Sequence, residues 1–215
     1  NAKGATMNSL SPLFAETMKK DAAAFSLLMR HLKAADTTHT VIMVQVENET
    51  GTYGSARDYS KLGNKLFAEQ APASLVALRH ARPGTWSEVF GREANETFHA
   101  WYIAQFVNAV AAAGKAELDL PMYVNVALRD PLEPKEPESY SAGGPTDNVI
   151  DIWKTGAPNI DLIGPDIYQK DSVHYQKVLQ YYDRPDNALF VPETGRDFAT
   201  ARYVFSVLGR GGIGF

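Results

Sequence analysis

Hydrophobic and polar positions along the chain follow helical periods in some stretches and strand patterns in others. From residue 11 to residue 34, apolar side chains recur at steps of three and four, which predicts a helix with one apolar stripe. Residues 41–46, Val-Ile-Met-Val-Gln-Val, are mostly apolar on both faces, which predicts a strand buried in a parallel sheet. Further strands are predicted at 122–126, 161–168 and 188–193, and another begins at 212–215.

Helical patterns occupy the intervals between these strands. The strongest covers residues 96–113, and Gly114 is placed to end it. Shorter helices are predicted at 58–69, 74–79, 147–154, 172–182 and 200–208. Strands that alternate with helices indicate right-handed βαβ units and a parallel α/β sheet. Both an open doubly wound sheet and a (β/α)8 barrel fit this order.

Composition excludes several classes of protein. The chain of 215 residues has 21 Lys and Arg against 25 Asp and Glu, a net charge of −4, so a nucleic-acid partner is disfavoured. It has no cysteine, which excludes disulfides, thiolate metal sites and a cysteine nucleophile. No apolar run approaches the ~18 residues of a membrane span, and the histidines lack the spacing of a zinc motif.

Polar side chains follow two of the predicted strands at the point where each strand ends. Glu47, Asn48 and Glu49 come directly after the first strand, and Glu193 ends the fourth. The carboxyl ends of parallel strands form the functional edge of such folds, and glycoside hydrolysis requires two carboxyl groups on either side of one bond. The alternatives are a solvated turn after the first strand and an ordinary loop acid, or a partner for Arg196, after the fourth.

Two short motifs resemble a known enzyme family. Gln45-Val-Glu-Asn-Glu49 followed by Gly51 is similar to the acid/base motif of glycoside hydrolase family 35, the β-galactosidases, usually Gln-(Ile/Val)-Glu-Asn-Glu-(Tyr/Phe)-Gly. Thr50 stands here in place of the aromatic residue. Val191-Pro-Glu-Thr-Gly195 resembles the nucleophile segment of bacterial members. In the clan, the Asn-Glu pair follows barrel strand four and the nucleophile follows strand seven, and counting predicted strands onward from Glu49 places Glu193 at strand seven.

The resemblance implies a fold and a domain organisation. It implies an α/β fold, a partial (β/α)8 TIM barrel that runs from about helix 3 to strand 8. Residues 1–215 would be the C-terminal part of the catalytic barrel, strands 4–8. Strands 1–3 and any accessory β domains would be absent, so we expect a segment of a longer chain.

The resemblance also implies roles for three residues. Glu49 would be the general acid/base, Glu193 the nucleophile, and Asn48 the residue that binds the 2-hydroxyl beside the cleaved bond. No metal and no organic cofactor are implied. A retaining mechanism would place the two carboxyl groups ~5–5.5 Å apart, against ~6.5–9.5 Å for inversion.

Other residues are candidates for substrate binding. Tyr168 would orient the nucleophile through its hydroxyl, or would be an aromatic residue at the barrel rim. Asn125 and Asp166 lie near strand ends and are candidates for binding sugar hydroxyls. Glu47 belongs to the motif and would either contact substrate or form a buried ion pair. Trp86, in a polar connection, is a candidate platform for stacking on a sugar ring.

The function predicted from the resemblance is retaining hydrolysis of terminal β-galactosides on oligosaccharides or polysaccharide side chains. Two alternatives stay open: another retaining β-glycosidase of the clan, of endo-glucanase, mannanase or xylanase type, or a non-catalytic carbohydrate-binding barrel. We expect no nucleic acid and no membrane span. A periplasmic or secreted location is favoured over a cytoplasmic one, and a homo-oligomer is left open.

Overall fold

The computed structural model describes residues 1–215 and contains one parallel β-sheet of four strands. These strands are β1 (Val44–Gln45), β2 (Met122–Ala127), β3 (Leu162–Ile167) and β4 (Glu193–Thr194). They lie side by side in chain order, each parallel to the next. The sheet curls into half of a barrel.

Nine α-helices surround the sheet. They are α1 (Ala15–Ala35), α2 (Lys61–Phe67), α3 (Ala73–Leu78), α4 (Trp86–Phe90), α5 (Ala94–Lys115), α6 (Ile150–Gly156), α7 (Ser172–Tyr182), α8 (Phe198–Ala201) and α9 (Val204–Gly209). Short 3-10 turns occur at Gly91–Glu93 and Pro137–Ser139. None of these helices combines the length and the apolar character that a bilayer crossing requires.

The two faces of the sheet differ in chemistry because side chains alternate along each strand. One face is apolar and belongs to the hydrophobic core together with side chains of α5, α6 and α7. Its residues on the two central strands are Met122, Val124, Val126, Ile163 and Ile167, all fully buried. The opposite face carries Gln45, Tyr123, Asn125, Asp166 and Glu193, in register across the four strands. The fold thus directs its polar residues to one side of the sheet.

The predicted partial (β/α)8 barrel is wrong for this chain. The α/β class and the parallel pairing agree with the pattern, but the sheet has four strands, not strands 4–8 of a (β/α)8 barrel. The strand predicted at 212–215 is reduced to a single parallel bridge between Phe190 and Gly214. The strand predicted at 188–193 shrinks to β4, which starts after Pro192, a residue without an amide hydrogen.

The segment before β4 is joined to β3 by the side chain of Asn187, not by a ladder of main-chain hydrogen bonds. Its side chain accepts a hydrogen bond from the Ile163 amide at 2.8 Å and donates one to the Ile163 carbonyl at 3.0 Å. The side-chain amide therefore takes the place of a neighbouring strand's main chain. Pattern alone does not show this substitution, because Leu189, Phe190 and Val191 have the composition of a strand.

Three further sequence-based expectations need correction. The 41–46 segment was predicted as a buried strand, yet β1 is an edge strand of two residues and Ile42 is 71% exposed. Gly114 does not end α5; a Cβ at this position would lie 2.3 Å from Phe25, so glycine lets α1 approach α5 closely. Trp86 is no stacking platform, because it is 1% exposed and packs against Phe98.

Candidate functional site

The register of the sheet brings Asp166 and Glu193 together. Asp166 on β3 is the direct partner of Glu193 on β4, so their side chains leave the same face of the sheet. On the other side of β3, Asp166 is paired with Ala127. Asn125, two residues earlier on β2, shares that face and reaches Asp166 diagonally. Three consecutive strands thus contribute polar groups to one place.

The loop after β1 has an unusual backbone. Glu47 and Glu49 both have positive φ angles, 60° and 47°. Residues other than glycine rarely adopt this left-handed conformation, which costs about 1 kcal/mol or more and persists where surrounding contacts hold it. The Glu49 amide donates to Asn125 Oδ1 at 3.0 Å, which is one such contact. The loop thereby turns Glu49 towards the carboxyl end of the sheet.

Gly51 anchors the end of the same loop. A Cβ on this residue would lie 2.3 Å from the Ser141 carbonyl oxygen, closer than any side chain allows. Thr52 then pairs with Ala142 in an antiparallel bridge. The glycine of the motif is therefore required for close contact between this loop and the connection after β2.

Asn125 is the central link of the site. It is 1% exposed, and its Oδ1 accepts hydrogen bonds from the Glu49 amide and from Gln45 Nε2 at 3.1 Å. Its Nδ2 donates to Asn48 Oδ1 at 2.9 Å and to Asp166 Oδ2 at 2.8 Å. A side-chain amide has two hydrogens and two acceptor positions, so all four are used inside the protein. The predicted contact of Asn125 with a sugar hydroxyl stays a prediction, and it would require one of these bonds to break.

Three carboxyl groups meet beside this amide. One oxygen each of Glu49, Asp166 and Glu193 lies within 4.8 Å of the other two. Glu49 and Glu193 are partly exposed, so a ligand can reach them, whereas Asp166 is 4% exposed. Asp166 Oδ2 accepts from Asn125, but Asp166 Oδ1 is buried without a hydrogen-bond partner.

The environment of Asp166 favours its protonated form. Burial, the adjacent Glu49 carboxyl and the nearby charge of Glu193 raise its pKa to about 9, and the bond from Asn125 opposes this rise only in part. A carboxyl in an apolar setting next to other carboxylates loses its proton reluctantly, because the ionised form is poorly solvated and repelled. The raised pKa therefore indicates that the cluster as a whole keeps a proton at neutral pH.

Tyr168 contacts the second carboxylate of the cluster. It follows β3 directly, is 53% exposed and donates its hydroxyl hydrogen to Glu193 Oε1. This hydrogen bond and the charge of Glu193 raise the pKa of Tyr168 to about 12. The phenol therefore remains a donor at all ordinary pH values and restrains the Glu193 side chain.

Asn48 is hydrogen-bonded to the side-chain amides of Gln45 and Asn125. Its Oδ1 accepts from Gln45 Nε2 at 3.1 Å and from Asn125 Nδ2. Both bonds are made by the oxygen, so the Asn48 NH₂ group remains available to a ligand. The loop thus presents one amide donor next to the Glu49 carboxyl.

Glu47 lies outside the three-carboxyl cluster. Its side chain faces Asp21 of α1, and burial together with this neighbouring carboxyl raises its pKa to about 7. Of the two roles expected for Glu47, an ion pair is not formed here, since its partner is another acid. Asp21 itself was not among the predicted site residues, and its position on a helical stripe offers no sequence signal of this contact.

Gln45 is a second residue that the predicted site lacked. Its amide binds both Asn48 and Asn125, and it thereby links β1 to β2 at the edge of the site. The signal was present, because Gln45 is the first residue of the motif that ends at Glu49. Gln45 lies within β1 rather than in the loop after it.

The geometry of the three carboxyls also allows a divalent cation. Carboxylate oxygens are the ligands that Mg²⁺ and Ca²⁺ prefer, and these three are close enough to share one ion. Such an ion would require all three carboxyls to be ionised, which the raised pKa of Asp166 opposes. No other group of three histidine or acidic side chains is close enough for this purpose.

A cavity of about 320 Å³ opens beside the loop after β1. Its wall includes Glu47, Asn48, Glu49 and Asp21, with Phe106 of α5 opposite. Its size lies at the lower end of the range for small-ligand sites. Glu193 does not line it, so the cavity lies to one side of the carboxyl pair. A second cavity of about 350 Å³, around Arg57 and His99, lacks the cluster altogether.

Comparison with known protein families and with curated proteins found no match for this chain.

Proposed function

We propose that this chain is a retaining glycoside hydrolase that cleaves terminal β-galactosides, with the activity that its resemblance to glycoside hydrolase family 35 implies. The observation that supports this proposal is the proximity of Glu49 and Glu193. These residues are far apart in sequence, yet their carboxylate oxygens lie within 4.8 Å of each other. Retaining enzymes hold two carboxyl groups ~5–5.5 Å apart, and the wider separation of ~6.5–9.5 Å belongs to inverting enzymes.

In the proposed reaction, Glu193 is the nucleophile. One Glu193 carboxylate oxygen attacks the anomeric carbon and forms a glycosyl ester while the bond to the leaving oxygen breaks. Tyr168 supports this role because its hydroxyl donates to Glu193 Oε1 and leaves Oε2 free to react. Both side chains are accessible at the same edge of the sheet.

Glu49 is the proposed general acid and base. It delivers a proton to the leaving oxygen in the first step and takes a proton from water in the second, when water releases the sugar from Glu193. The hydrogen bond from its own amide to Asn125 holds the loop in its left-handed conformation. Asn48, with its NH₂ group available, would bind a sugar hydroxyl next to the cleaved bond.

The test is hydrolysis of nitrophenyl β-galactoside by the wild-type chain and by Glu193→Gln. We expect turnover by the wild type and a loss of at least about 10³-fold in the variant, because a nucleophile has been removed. Asp151→Asn is a matched control, since this acid lies on the exposed side of α6 and pairs with Arg184. An NMR time course in which β-galactose is the first anomer released would establish retention.

The same substrate series separates the alternatives. Glucosides, mannosides and xylosides that react faster than the galactoside would assign the chain to another retaining β-glycosidase. Binding of galactose without turnover, equal in wild type and Glu193→Gln, would refute the catalytic proposal.

A further inference from the structure

Asp166 is the one carboxyl of the cluster that the proposed reaction does not use. It was a candidate for binding sugar hydroxyls, yet it is 4% exposed and lies behind the two accessible acids. Its Oδ2 accepts a hydrogen bond from Asn125, and its Oδ1 is buried without a hydrogen-bond partner. A buried polar atom without a partner is costly, so the state of this oxygen needs an explanation.

The two acids that lie next to Asp166 in the cluster carry acceptor oxygens. Ionised carboxylates have no hydrogen to donate, so Asp166 and Glu49 form a hydrogen bond only when one of them carries a proton. The titratable groups that face Asp166 come from every element around it: Glu49 after β1, Tyr123 on β2, Tyr168 at the end of β3, Glu193 on β4 and Tyr182 on α7. The three tyrosines are neutral at pH 7, so no positive charge in this set balances the acids.

We propose that Asp166 is a positioning residue that carries a proton and hydrogen-bonds through it to Glu49. This inference rests on the proposed function, since it assigns a role within the same site. Glu49 and Asp166 then form a pair that shares a proton, and Glu193, which accepts the Tyr168 hydroxyl, is the third member of the cluster. In the first step Glu49 delivers this shared proton to the leaving oxygen, and in the second step the proton that Glu49 takes from water restores the pair.

The consequence for catalysis follows from the repulsion among the acids. Three carboxyls so close bind their last proton more tightly than two would, because releasing it leaves three adjacent negative charges. Asp166 thus extends the pH range in which the cluster as a whole holds a proton. It does so without touching substrate.

The test compares the pH dependence of kcat/KM for wild type and Asp166→Asn. Asparagine keeps the shape of the neutral acid and removes one carboxyl, so we expect activity at the acidic end within about tenfold of wild type. We expect the alkaline limb of the profile to move to lower pH by one unit or more, since the highest macroscopic pKa of the cluster falls. Asp161→Asn, at the opposite end of the same strand where it bonds Lys115, should leave the profile unchanged.

A uniform loss of kcat in Asp166→Asn with an unmoved alkaline limb would overturn the proposal, because it would indicate a purely structural role. A second readout needs no substrate and no active variant. The infrared spectrum of the wild type should contain the carbonyl stretch of a protonated carboxylic acid at pH 7, and this band should disappear as the pH passes about 9. The band should be weaker in Asp166→Asn, and an identical band in both proteins would refute the assignment.

This readout also separates the two proposals. If the chain hydrolyses no glycoside and the infrared band is present, the proposed function fails and the protonated Asp166 stands. Saturable binding of Mg²⁺ or Ca²⁺ at pH 7, lost in Asp166→Asn, would overturn the proton-sharing proposal in favour of a cation site, because a bound ion needs ionised ligands.

Discussion

Two buried acids on this chain have equal exposure and opposite surroundings. Glu96 of α5 is 5% exposed and Asp166 of β3 is 4% exposed. Glu96 Oε2 accepts hydrogen bonds from the Tyr140 hydroxyl at 2.6 Å and from the Asn148 amide at 2.7 Å. Asp166 accepts from one amide and otherwise faces two carboxyl groups.

The difference lies in what each acid does for the protein. Burial raises the pKa of Glu96, and the bonds from Tyr140 and Asn148 and the charge of Arg129 offset this rise only in part. Around Asp166 the neighbouring acids add to the effect of burial. Donors around a buried acid stabilise its charge and make it part of the framework, whereas acceptors make it hold a proton, which is useful for acid–base chemistry.

The largest expected effect is on catalysis. Glu49→Gln should lower kcat/KM for an alkyl β-galactoside about 10³-fold, because general acid catalysis contributes that much when the leaving group needs a proton. The rate of the first step with a dinitrophenyl galactoside, whose leaving group needs no proton, should fall far less. Glu96→Gln should stay within about threefold of wild type on both substrates. Equal losses of kcat/KM on the two substrates would contradict the role of Glu49 as a general acid. An equally large loss in Glu96→Gln would contradict the distinction between the cluster and Glu96.

The next effect is on stability. Glu96→Ala should lower the free energy of unfolding by about 3 kcal/mol, because it leaves the Tyr140 hydroxyl and the Asn148 amide buried without their acceptor. Asp166→Asn should cost less, since it removes repulsion and loses few partners. Urea unfolding at pH 7 measures both. A larger loss for Asp166→Asn would show that Asp166 belongs to the framework after all.

The third effect concerns pH and stability. The pKa of Asp166 is about 9 in the folded chain and near 4 when unfolded, so the folded state binds the extra proton between these values. Its stabilising contribution is complete at low pH and is lost as the pH rises towards 9. Relative to Asp166→Asn, the wild type should therefore lose at least about 1 kcal/mol between pH 5 and pH 8. Parallel stability curves for the two proteins would contradict this expectation.

The smallest expected effect concerns the buried pair of Arg129 and Asp147. Arg129 makes two hydrogen bonds to Asp147, at 2.7 and 2.6 Å, with both side chains largely buried. Arg129→Lys keeps the charge but loses the forked geometry, and we expect a cost of about 1 kcal/mol in thermal or urea unfolding. Galactoside hydrolysis should be unaffected, and a shifted pH profile would extend the functional network to Arg129.

Local patterns predicted much of the helical framework. The helix of residues 172–182 has the predicted bounds, and α1 and α5 differ from their predicted ranges only near their ends. The central strands β2 and β3 also lie where alternation and composition place them. These elements are long or strongly periodic, so the local signal is sufficient to define them. α4 was missed because its five residues are too few to reveal a helical period.

The candidate site was predicted in part. Glu49 and Glu193 were expected to meet because both follow parallel strands, and their oxygens are neighbours. The position of Asp166 was not expected, because whether it faces outward or sits beneath the pair depends on the register of β3 against β4. Asn125 likewise has four internal partners that no sequence spacing reveals.

The sequence by itself determined the longer helices, the two central strands and which chemical groups follow the strands, since these are local properties of composition and period. The tertiary structure alone decided the number of strands in the sheet, the burial of Trp86 and the pairing of Asp166 with Glu193. These features depend on which segments pack together, and that packing is decided by contacts between residues distant in the chain. The proton on Asp166 follows from the same source, because burial and neighbouring charge exist only once the strands have met.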